Sequence, residues 1–231
     1  GCIVGEPTLM KPVIAHKGKR SYRCTVTGLA SHSAYAPRGV NAVEAAAEAV
    51  AYLKRMARRC RDKGPHDHSF DVQHTTVHTG VMHGGTALNI VPAECYFDFE
   101  FRHLPDVDPD ALLREFRDYL ERELEPEMRA VHQGAGFRVE QLSEIPALDS
   151  SPETEMVALA QELASQHDIA KVSYGTEASQ FQRSGIPAVV CGPGSIQQAH
   201  RPNEYIAGEQ LAACETFLRR LMDRMCAPQP E

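Results

Sequence analysis

Two stretches of the chain, 21–28 and 96–102, alternate most clearly between apolar and polar positions. An alternation of period two is typical of a β-strand with one face against a core. The apolar members are Tyr22, Cys24 and Val26 in the first stretch and Phe97, Phe99 and Phe101 in the second. Weaker alternation at 70–74 and 137–142 predicts two further strands.

Two other stretches have apolar residues every three or four positions, which is the spacing of amphipathic helices. The first contains Val43, Ala46, Ala47, Val50, Leu53 and Ala57, and the second contains Leu113, Phe116, Leu120 and Leu124. We expect Asn41 to cap the first helix, with Glu44 three residues on as in a capping box. We expect the second helix to begin at Pro109. The order of elements across 18–148 is then βαββαβ, which is typical of the ferredoxin-like fold.

Outside this unit, helices and strands alternate as in α/β proteins. The pattern predicts strands at 2–4, 172–174 and 188–191, and helices at 153–167 and 209–225. The strand at 2–4 has no partner within the βαββαβ unit, so it fits as a further strand of the α/β sheet. The sequence therefore predicts an α/β domain formed by 1–17 and 149–231, interrupted by a ferredoxin-like domain at 18–148.

Composition excludes several classes of function. The 231 residues, 42% of them hydrophobic, are enough for one or two domains with a sizeable core. The net charge of -7 argues against nucleic acid as a partner, because phosphate binding requires clustered Lys and Arg. No apolar run approaches the roughly 18 residues of a membrane span, so we expect no membrane partner. The seven cysteines are odd in number and form no CxxC pair, which favours reduced thiols in the cytoplasm.

Glu6 and His200 are the candidate metal ligands. Each comes after an apolar run that predicts a strand, and α/β proteins place ligand sites at the carboxyl ends of parallel strands. A carboxylate and a neutral imidazole both suit zinc. Spacing alone leaves open that the two are exposed loop residues. The histidines at 66–83 are a weaker candidate, because His74 and His78 on one face of a strand would lie about 13 Å apart.

Two motifs contain these candidate ligands. The first is Val4-Gly5-Glu6-Pro7-Thr8, and the second runs from Gly192 to Tyr205 as Gly-Pro-Gly-Ser-Ile-Gln-Gln-Ala-His-Arg-Pro-Asn-Glu-Tyr. Together they resemble the M20 family of two-zinc amidohydrolases, and within it most the enzymes that deacetylate N2-acetyl-L-ornithine. The resemblance implies a zinc-peptidase-like catalytic domain with an inserted lid, or dimerisation, domain. It also implies two zinc ions in a complete site, with cobalt as an alternative, and Glu6 and His200 as ligands.

The resemblance extends to the predicted lid. Segment 28–37 reads Gly-Leu-Ala-Ser-His-Ser-Ala-Tyr-Ala-Pro and resembles a family motif whose histidine, here His32, reaches into the partner's site. There it is implied to stabilise the tetrahedral oxyanion, which is a catalytic role. Tyr35 in the same motif and Asn89 match positions at the substrate. The alternative for His32 is a turn histidine that caps local backbone.

Three further residues match substrate-binding positions of the family. Arg102 would hold a carboxylate of the substrate, as a guanidinium can do with two hydrogen bonds. Its alternative, equally plausible from the sequence, is an ion pair on the sheet face with Asp98 or Glu100. Gly175 and Thr176 belong to a segment that resembles the family loop whose backbone amides face the substrate.

By resemblance, the reaction is hydrolysis of N2-acetyl-L-ornithine to L-ornithine and acetate, in arginine biosynthesis. The enzyme would be a cytoplasmic homodimer acting on a small N-acylated amino acid. The alternatives within the family are succinyl-diaminopimelate desuccinylase and an M20 carboxypeptidase or aminoacylase. An alternative of another class is a non-catalytic dimerisation module.

The family's other metal ligands and its general base have no match in this sequence. They are an upstream His-x-Asp, a bridging Asp and a Glu-Glu pair. Two ligands cannot hold the two metal ions, about 3.5–4 Å apart, that such hydrolysis uses. We therefore expect the chain to be the C-terminal part of an enzyme and to be inactive alone.

Overall fold

The computed structural model describes residues 1–226, which form two units. The first unit contains Gly1–Gly18, His68–Gln73 and the described chain from residue 145 onward. The second contains Lys19–Asp67 and His74–Glu144. The chain therefore passes between the units four times, whereas a simple insertion at 18–148 would require two passages.

The elements of the described chain follow in order. The strands are β1 (Cys2–Val4), β2 (Val13–His16), β3 (Gly18–Thr27), β4 (Ser31–His32), β5 (Thr76–Gly84), β6 (Ile90–Val91), β7 (Glu94–His103), β8 (Gly136–Ile145), β9 (Leu148–Asp149), β10 (Ala170–Val172) and β11 (Ala188–Val190). The α-helices are α1 (Ala42–Lys63), α2 (Pro109–Tyr119), α3 (Glu125–Val131), α4 (Glu155–Ala164), α5 (Ala178–Arg183) and α6 (Gly208–Cys226). A 3₁₀-helix spans Ser33–Arg38, and a π-helical turn, Leu120–Leu124, joins α2 to α3. None of the helices within residues 1–226 combines the length and the apolar character needed to cross a membrane.

The second unit contains the predicted ferredoxin-like sheet, with the strand order β5-β7-β3-β8. Its buried core joins the apolar face of β3 and β7 to the apolar sides of α1, α2 and α3. Aromatic rings fill this core: the ring centroids of Tyr22 and Phe99 are 5.2 Å apart, and those of Phe99 and Phe116 are 5.1 Å apart. The predicted βαββαβ order and the alternation along β3 and β7 are confirmed.

Two helices of the second unit, α1 and α2, begin at a side chain that caps them. Asn41 Oδ1 accepts hydrogen bonds from the backbone N–H groups of Val43 and Glu44, as expected of an N-cap. The second predicted helix is not continuous, because the π-helical turn interrupts it. Pro126 lies in the first turn of α3 and has no N–H to donate to a carbonyl one turn earlier. The wider turn before it accommodates this missing hydrogen bond.

The strand predicted at 70–74 is wrong. The strand that pairs with β7 is β5, which begins at Thr76. Residues 68–73 belong instead to the first unit, where Phe70 is buried while Val72 is exposed. The alternation of apolar residues there reflects burial of one ring and is not a strand.

The first unit has the predicted α/β character. Its sheet runs β1-β11-β2-β10, with β9 also paired to β2. The pairs β1–β11 and β2–β10 are parallel, and the strand predicted at 2–4 is therefore confirmed as part of this sheet. The helix predicted at 153–167 is shorter, because Ser165 adopts a left-handed conformation that ends α4.

Candidate active site

Glu6 and His200 follow two neighbouring parallel strands, β1 and β11. Thr8 connects the loop after β1 to the loop after β11 by hydrogen bonds. Its Oγ1 accepts from the Gly192 N–H at 3.1 Å, and its own N–H donates to the Gly192 carbonyl at 3.2 Å. A Cβ at Gly192 would lie 2.6 Å from the Glu6 carbonyl oxygen, so only glycine allows this approach. The packing of the two loops therefore depends on Thr8 and Gly192.

Charged groups meet near Glu6. Burial raises the pKa of the Glu6 carboxyl above its ordinary value, the Glu177 carboxylate raises it further, and His200 partly offsets these effects. The backbone N–H of His200 donates to Glu204 Oε2 at 3.0 Å. Glu6 is half-buried and His200 is exposed. Glu6, Glu177 and His200 thus interact electrostatically, although no group of three potential metal ligands comes together within residues 1–226.

The same two loops contain strained backbone. Non-glycine residues with positive φ within the described chain are Leu9, Met10, Ser165, His200 and Asn203. Four of these lie in the loops that follow β1 and β11, and the fifth ends α4. Left-handed backbone is unfavourable for residues with a side chain, and such strain gathers at functional sites.

The loop 173–177, which follows β10, is hydrogen-bonded to the side chain of His16. This side chain is fully buried. Its Nδ1 donates to the Lys17 carbonyl at 2.9 Å, so its Nε2 is free to accept the Thr176 N–H at 3.2 Å. Burial lowers the pKa of His16, which favours this neutral form. Sequence reasoning missed His16; the signal was a histidine closing the apolar run Val13–His16.

Thr176 and Gly175 occupy this loop as the sequence indicates. Thr176 is buried, and its N–H is bound to His16. Its Oγ1 accepts the Ala178 N–H at 3.2 Å and so starts α5. The amide of Thr176 is thus engaged within the protein, and contact of the loop with substrate stays a prediction. Burial, and then the charges of Glu6 and Asp71, raise the pKa of Tyr174 to about 12.

In the second unit, the structure brings His32, Tyr35 and Asn89 together. The short strands β4 and β6 pair His32 with Ile90, and the Ser33 N–H donates to the Asn89 carbonyl at 3.0 Å. The rings of His32 and Tyr35 meet edge-on with centroids 6.3 Å apart. His32 Nδ1 accepts the Ala34 N–H at 3.1 Å, which is the turn-capping contact that the sequence left open.

Arg102 lies elsewhere in the second unit. It pairs with Thr76 at one end of the β5–β7 ladder, whereas Cys95 pairs with Gly84 at the other end. Seven residues of strand separate Arg102 from Cys95, which corresponds to about 24 Å. Its Nε donates to Glu100 Oε1 at 2.9 Å. This is the ion pair on the sheet face that the sequence offered as the alternative.

Comparison with known proteins identifies relatives over 97% of the chain. Residues 14–128 match the model of the peptidase dimerisation domain, M20_dimer. The chain is 34% identical over 226 residues to acetylornithine deacetylase from Edwardsiella ictaluri (strain 93-146), covering 97% of the chain and 57% of that relative. It is 35% identical over 239 residues to acetylornithine deacetylase from Myxococcus xanthus, with the same coverage of both. The chain therefore spans a little over half the length of the curated relatives it matches.

Solved structures share the fold. Aminopeptidase PepT from Bacillus cereus ATCC 10987 superposes with a TM-score of 0.71 at 21% identity, covering 97% of this chain and 56% of that chain. A tripeptidase from Staphylococcus aureus subsp. aureus Mu50 gives a TM-score of 0.68 at 21% identity, covering 93% and 53%. At this identity the likeness extends to the fold alone. The dimerisation-domain match, together with relatives along 97% of the chain, confirms the family that the Glu6 and His200 motifs indicate, and the chain belongs to the M20 family.

Proposed function

We propose that this chain forms part of a metal-dependent amidohydrolase that removes the acetyl group from N2-acetyl-L-ornithine. The observation that most supports this substrate is the 34% identity to a protein named acetylornithine deacetylase over 97% of the chain. The products would be L-ornithine and acetate, as in arginine biosynthesis. All seven cysteines are free, which supports the cytoplasm as the compartment.

Glu6 and His200 are proposed as zinc ligands. The half-buried Glu6 carboxylate lies near the like charge of Glu177, and a divalent cation would relieve this unfavourable arrangement. A zinc site uses at least three protein ligands, so the proposal requires donors in addition to these two. When bound, zinc would polarise the substrate carbonyl and lower the pKa of water at the site.

His32 is proposed to stabilise the oxyanion that forms at the acetyl carbonyl. Because its Nδ1 accepts the Ala34 N–H, the neutral imidazole has its proton on Nε2. The cap therefore fixes the tautomer and leaves an exposed N–H donor. His32 can therefore cap the turn and act in catalysis, because the capping contact leaves the Nε2 proton directed outward for the oxyanion. A donor of this kind contributes about 3–4 kcal/mol to transition-state stabilisation.

The positions of Arg102 and His32 support a homodimer. Ala30, two residues before His32, and Ile90, next to Asn89, line one cavity of about 430 Å³ with Gly84 and Cys95. Arg102 lies about 24 Å along β7 from that end of the sheet. A small N-acylated amino acid cannot reach across this distance. If both groups contact one substrate, they come from different subunits, and the outer strands β5 and β8 offer edges for such pairing.

The test is made in the protein with a complete metal site, by measuring ornithine release and bound zinc. We expect His32→Ala to lower kcat by roughly 10²–10³ with bound zinc unchanged. Glu6→Gln and His200→Ala should each lower bound zinc. His167→Ala is a matched control, because His167 is exposed in the first unit. Full turnover by His32→Ala would contradict the catalytic role.

Subunit mixing tests the shared site. Heterodimers of His32→Ala and His200→Ala subunits should regain part of the activity, because one of their two sites has both groups intact. Confirmed heterodimers that stay as inactive as the parents would rule out a cross-subunit His32. A monomeric mass by sedimentation at tens of micromolar would contradict the homodimer itself.

Two alternative functions can be distinguished from the proposed one, the first by substrate preference and the second by zinc binding. Faster turnover of N-succinyl-diaminopimelate, or of a peptide or other N-acylated amino acid, would place the enzyme elsewhere in the family. A non-catalytic dimerisation module is favoured by the match of residues 14–128 to a dimerisation domain. Native mass spectrometry distinguishes it, because a module would bind no zinc and would lose none on Glu6→Gln.

A further inference from the structure

Residues 68–73, here called the strap, connect α1 to β5 but pack in the first unit. The strap is closed at its base, where His68 Nδ1 and Gln73 Oε1 are hydrogen-bonded at 2.8 Å. It is therefore a short, self-closed loop that belongs to the first unit, although the elements before and after it belong to the second.

Phe70 anchors the strap. Its side chain is 2% exposed. The Lys17 Nζ lies 6.0 Å and the Lys171 Nζ 5.6 Å from the centre of its ring, and a cation over an aromatic face is attractive at this distance. Lys17 comes directly after β2, and Lys171 lies in β10. The anchor thus holds the strap beside the strands that lead into His16 and into loop 173–177.

Asp71 connects the strap to that loop. Its Oδ1 accepts the Val72 N–H at 2.9 Å and also the hydroxyl of Ser173. Ser173 is the first residue after β10, and Tyr174 beside it is influenced by the charges of both Asp71 and Glu6. Asp71 therefore fixes the beginning of a loop that continues to Glu177.

We propose that Asp71 is a positioning residue, which holds loop 173–177 in place through Ser173 while His16 holds Thr176. The loop is then fixed at two points, at Ser173 by Asp71 of the strap and at Thr176 by His16 of β2. The importance of this loop for catalysis rests on the proposed function, because its residues Glu177 and Tyr174 interact electrostatically with Glu6, the proposed metal ligand. The positioning itself does not depend on that function.

Hydrogen exchange measures the positioning without any turnover. The amides of Thr176 and Ala178 are hydrogen-bonded to His16 Nε2 and Thr176 Oγ1, so they exchange only when the loop opens. We expect Asp71→Ala to speed their exchange about five- to tenfold, as for loss of one hydrogen bond. Exchange within α4 should not change.

Three further variants define the contact. Asp71→Asn keeps an oxygen at the acceptor position and should restore exchange to within about twofold of the wild type. Ser173→Ala removes the same hydrogen bond from the other side, so it should match Asp71→Ala, and the double variant should be no faster. Val72→Ala is the control within the strap, since Val72 is 37% exposed, and should have no effect.

The proposal is overturned if Asp71→Ala leaves the Thr176 and Ala178 amides as slow as in the wild type. It is equally overturned if exchange rises to the same extent in α4, which would mean general destabilisation, or if Asp71→Asn is as fast as Asp71→Ala. Absence of deacetylase activity in the protein with a complete metal site would contradict the proposed function and leave these exchange rates unaffected.

Discussion

Acid should destabilise this protein partly through His16. The side chain is fully buried, and both ring nitrogens are engaged, Nδ1 as donor to Lys17 and Nε2 as acceptor from Thr176. A protonated imidazole would place an N–H against the Thr176 N–H and would put a charge in a buried site. The folded state therefore requires neutral His16, and burial lowers its pKa accordingly.

The sign and size of the effect follow from proton linkage. Because the folded pKa lies below the ordinary value of 6.5, the stabilisation is complete above that pH and is lost as the pH falls below it. At about pH 5.5 the unfolded chain has bound the proton, and a folded state that has not done so has lost up to about 1.4 kcal/mol of stability. His103 in the second unit is also buried with a lowered pKa and contributes in the same direction.

The assay is urea unfolding followed by circular dichroism at about pH 7.5 and about pH 5.5, since the chain has no Trp to report by fluorescence. His16→Gln keeps an acceptor for Thr176 but cannot titrate in this range. Its loss of stability between the two pH values should be smaller than that of the wild type by up to about 1.4 kcal/mol. His167→Gln, a change at an exposed histidine of the same unit, should behave as the wild type.

Equal losses in the wild type and in His16→Gln would refute the reasoning, because titration of His16 would then contribute nothing. A larger loss in His16→Gln would refute it as well. The comparison is between variants, so other titrating groups, including His103, cancel.

Three other predictions concern stability, each measured by the urea midpoint. Asn41→Ala should cost about 1 kcal/mol through the lost N-cap of α1, whereas Asn41→Asp keeps the acceptor and should cost little. Phe116→Ala should cost about 3–5 kcal/mol because the ring is fully buried, whereas Leu88→Ala at an exposed site should stay within about 0.5 kcal/mol. Arg23→Ala removes the paired hydrogen bonds to Asp98 but should shift the urea midpoint less than Asn41→Ala does, because the pair is partly exposed and screened by salt.

The ferredoxin-like fold could be predicted because its signal is local. Along β7, Phe97, Phe99 and Phe101 face the core at every second position, as periodicity requires. The strap could not be predicted in the same way. The charged ends of Lys17 and Lys171, which are distant in sequence, lie near the buried ring of Phe70. No pattern within 68–73 encodes these contacts.

Part of the candidate site could also be predicted from local sequence signals. The sequence indicated Glu6 and His200 because each belongs to a recognisable motif after an apolar run, and the structure places the strands that precede them, β1 and β11, side by side. His16 was missed because a histidine at the end of an apolar run resembles a core residue until its partner, Thr176, is known. For Arg102 the sequence allowed two interpretations, and only the structure reveals the contact with Glu100.

The strained backbone around His200 belongs to a pair of loops that contain both candidate ligands. His200 has a φ of 62°, a conformation that glycine adopts without strain but that costs about 1 kcal/mol or more for a residue with a side chain. The neighbouring loop has Leu9 and Met10 in the same conformation, and the hydrogen bonds of Thr8 to Gly192 hold the two loops together against this cost. A histidine at this position carries a backbone cost that glycine would avoid, and the loops that follow β1 and β11 share this cost. Because Leu9 and Met10 share this conformation, the strain marks the two loops as a region, and the ligand role of His200 stays a proposal.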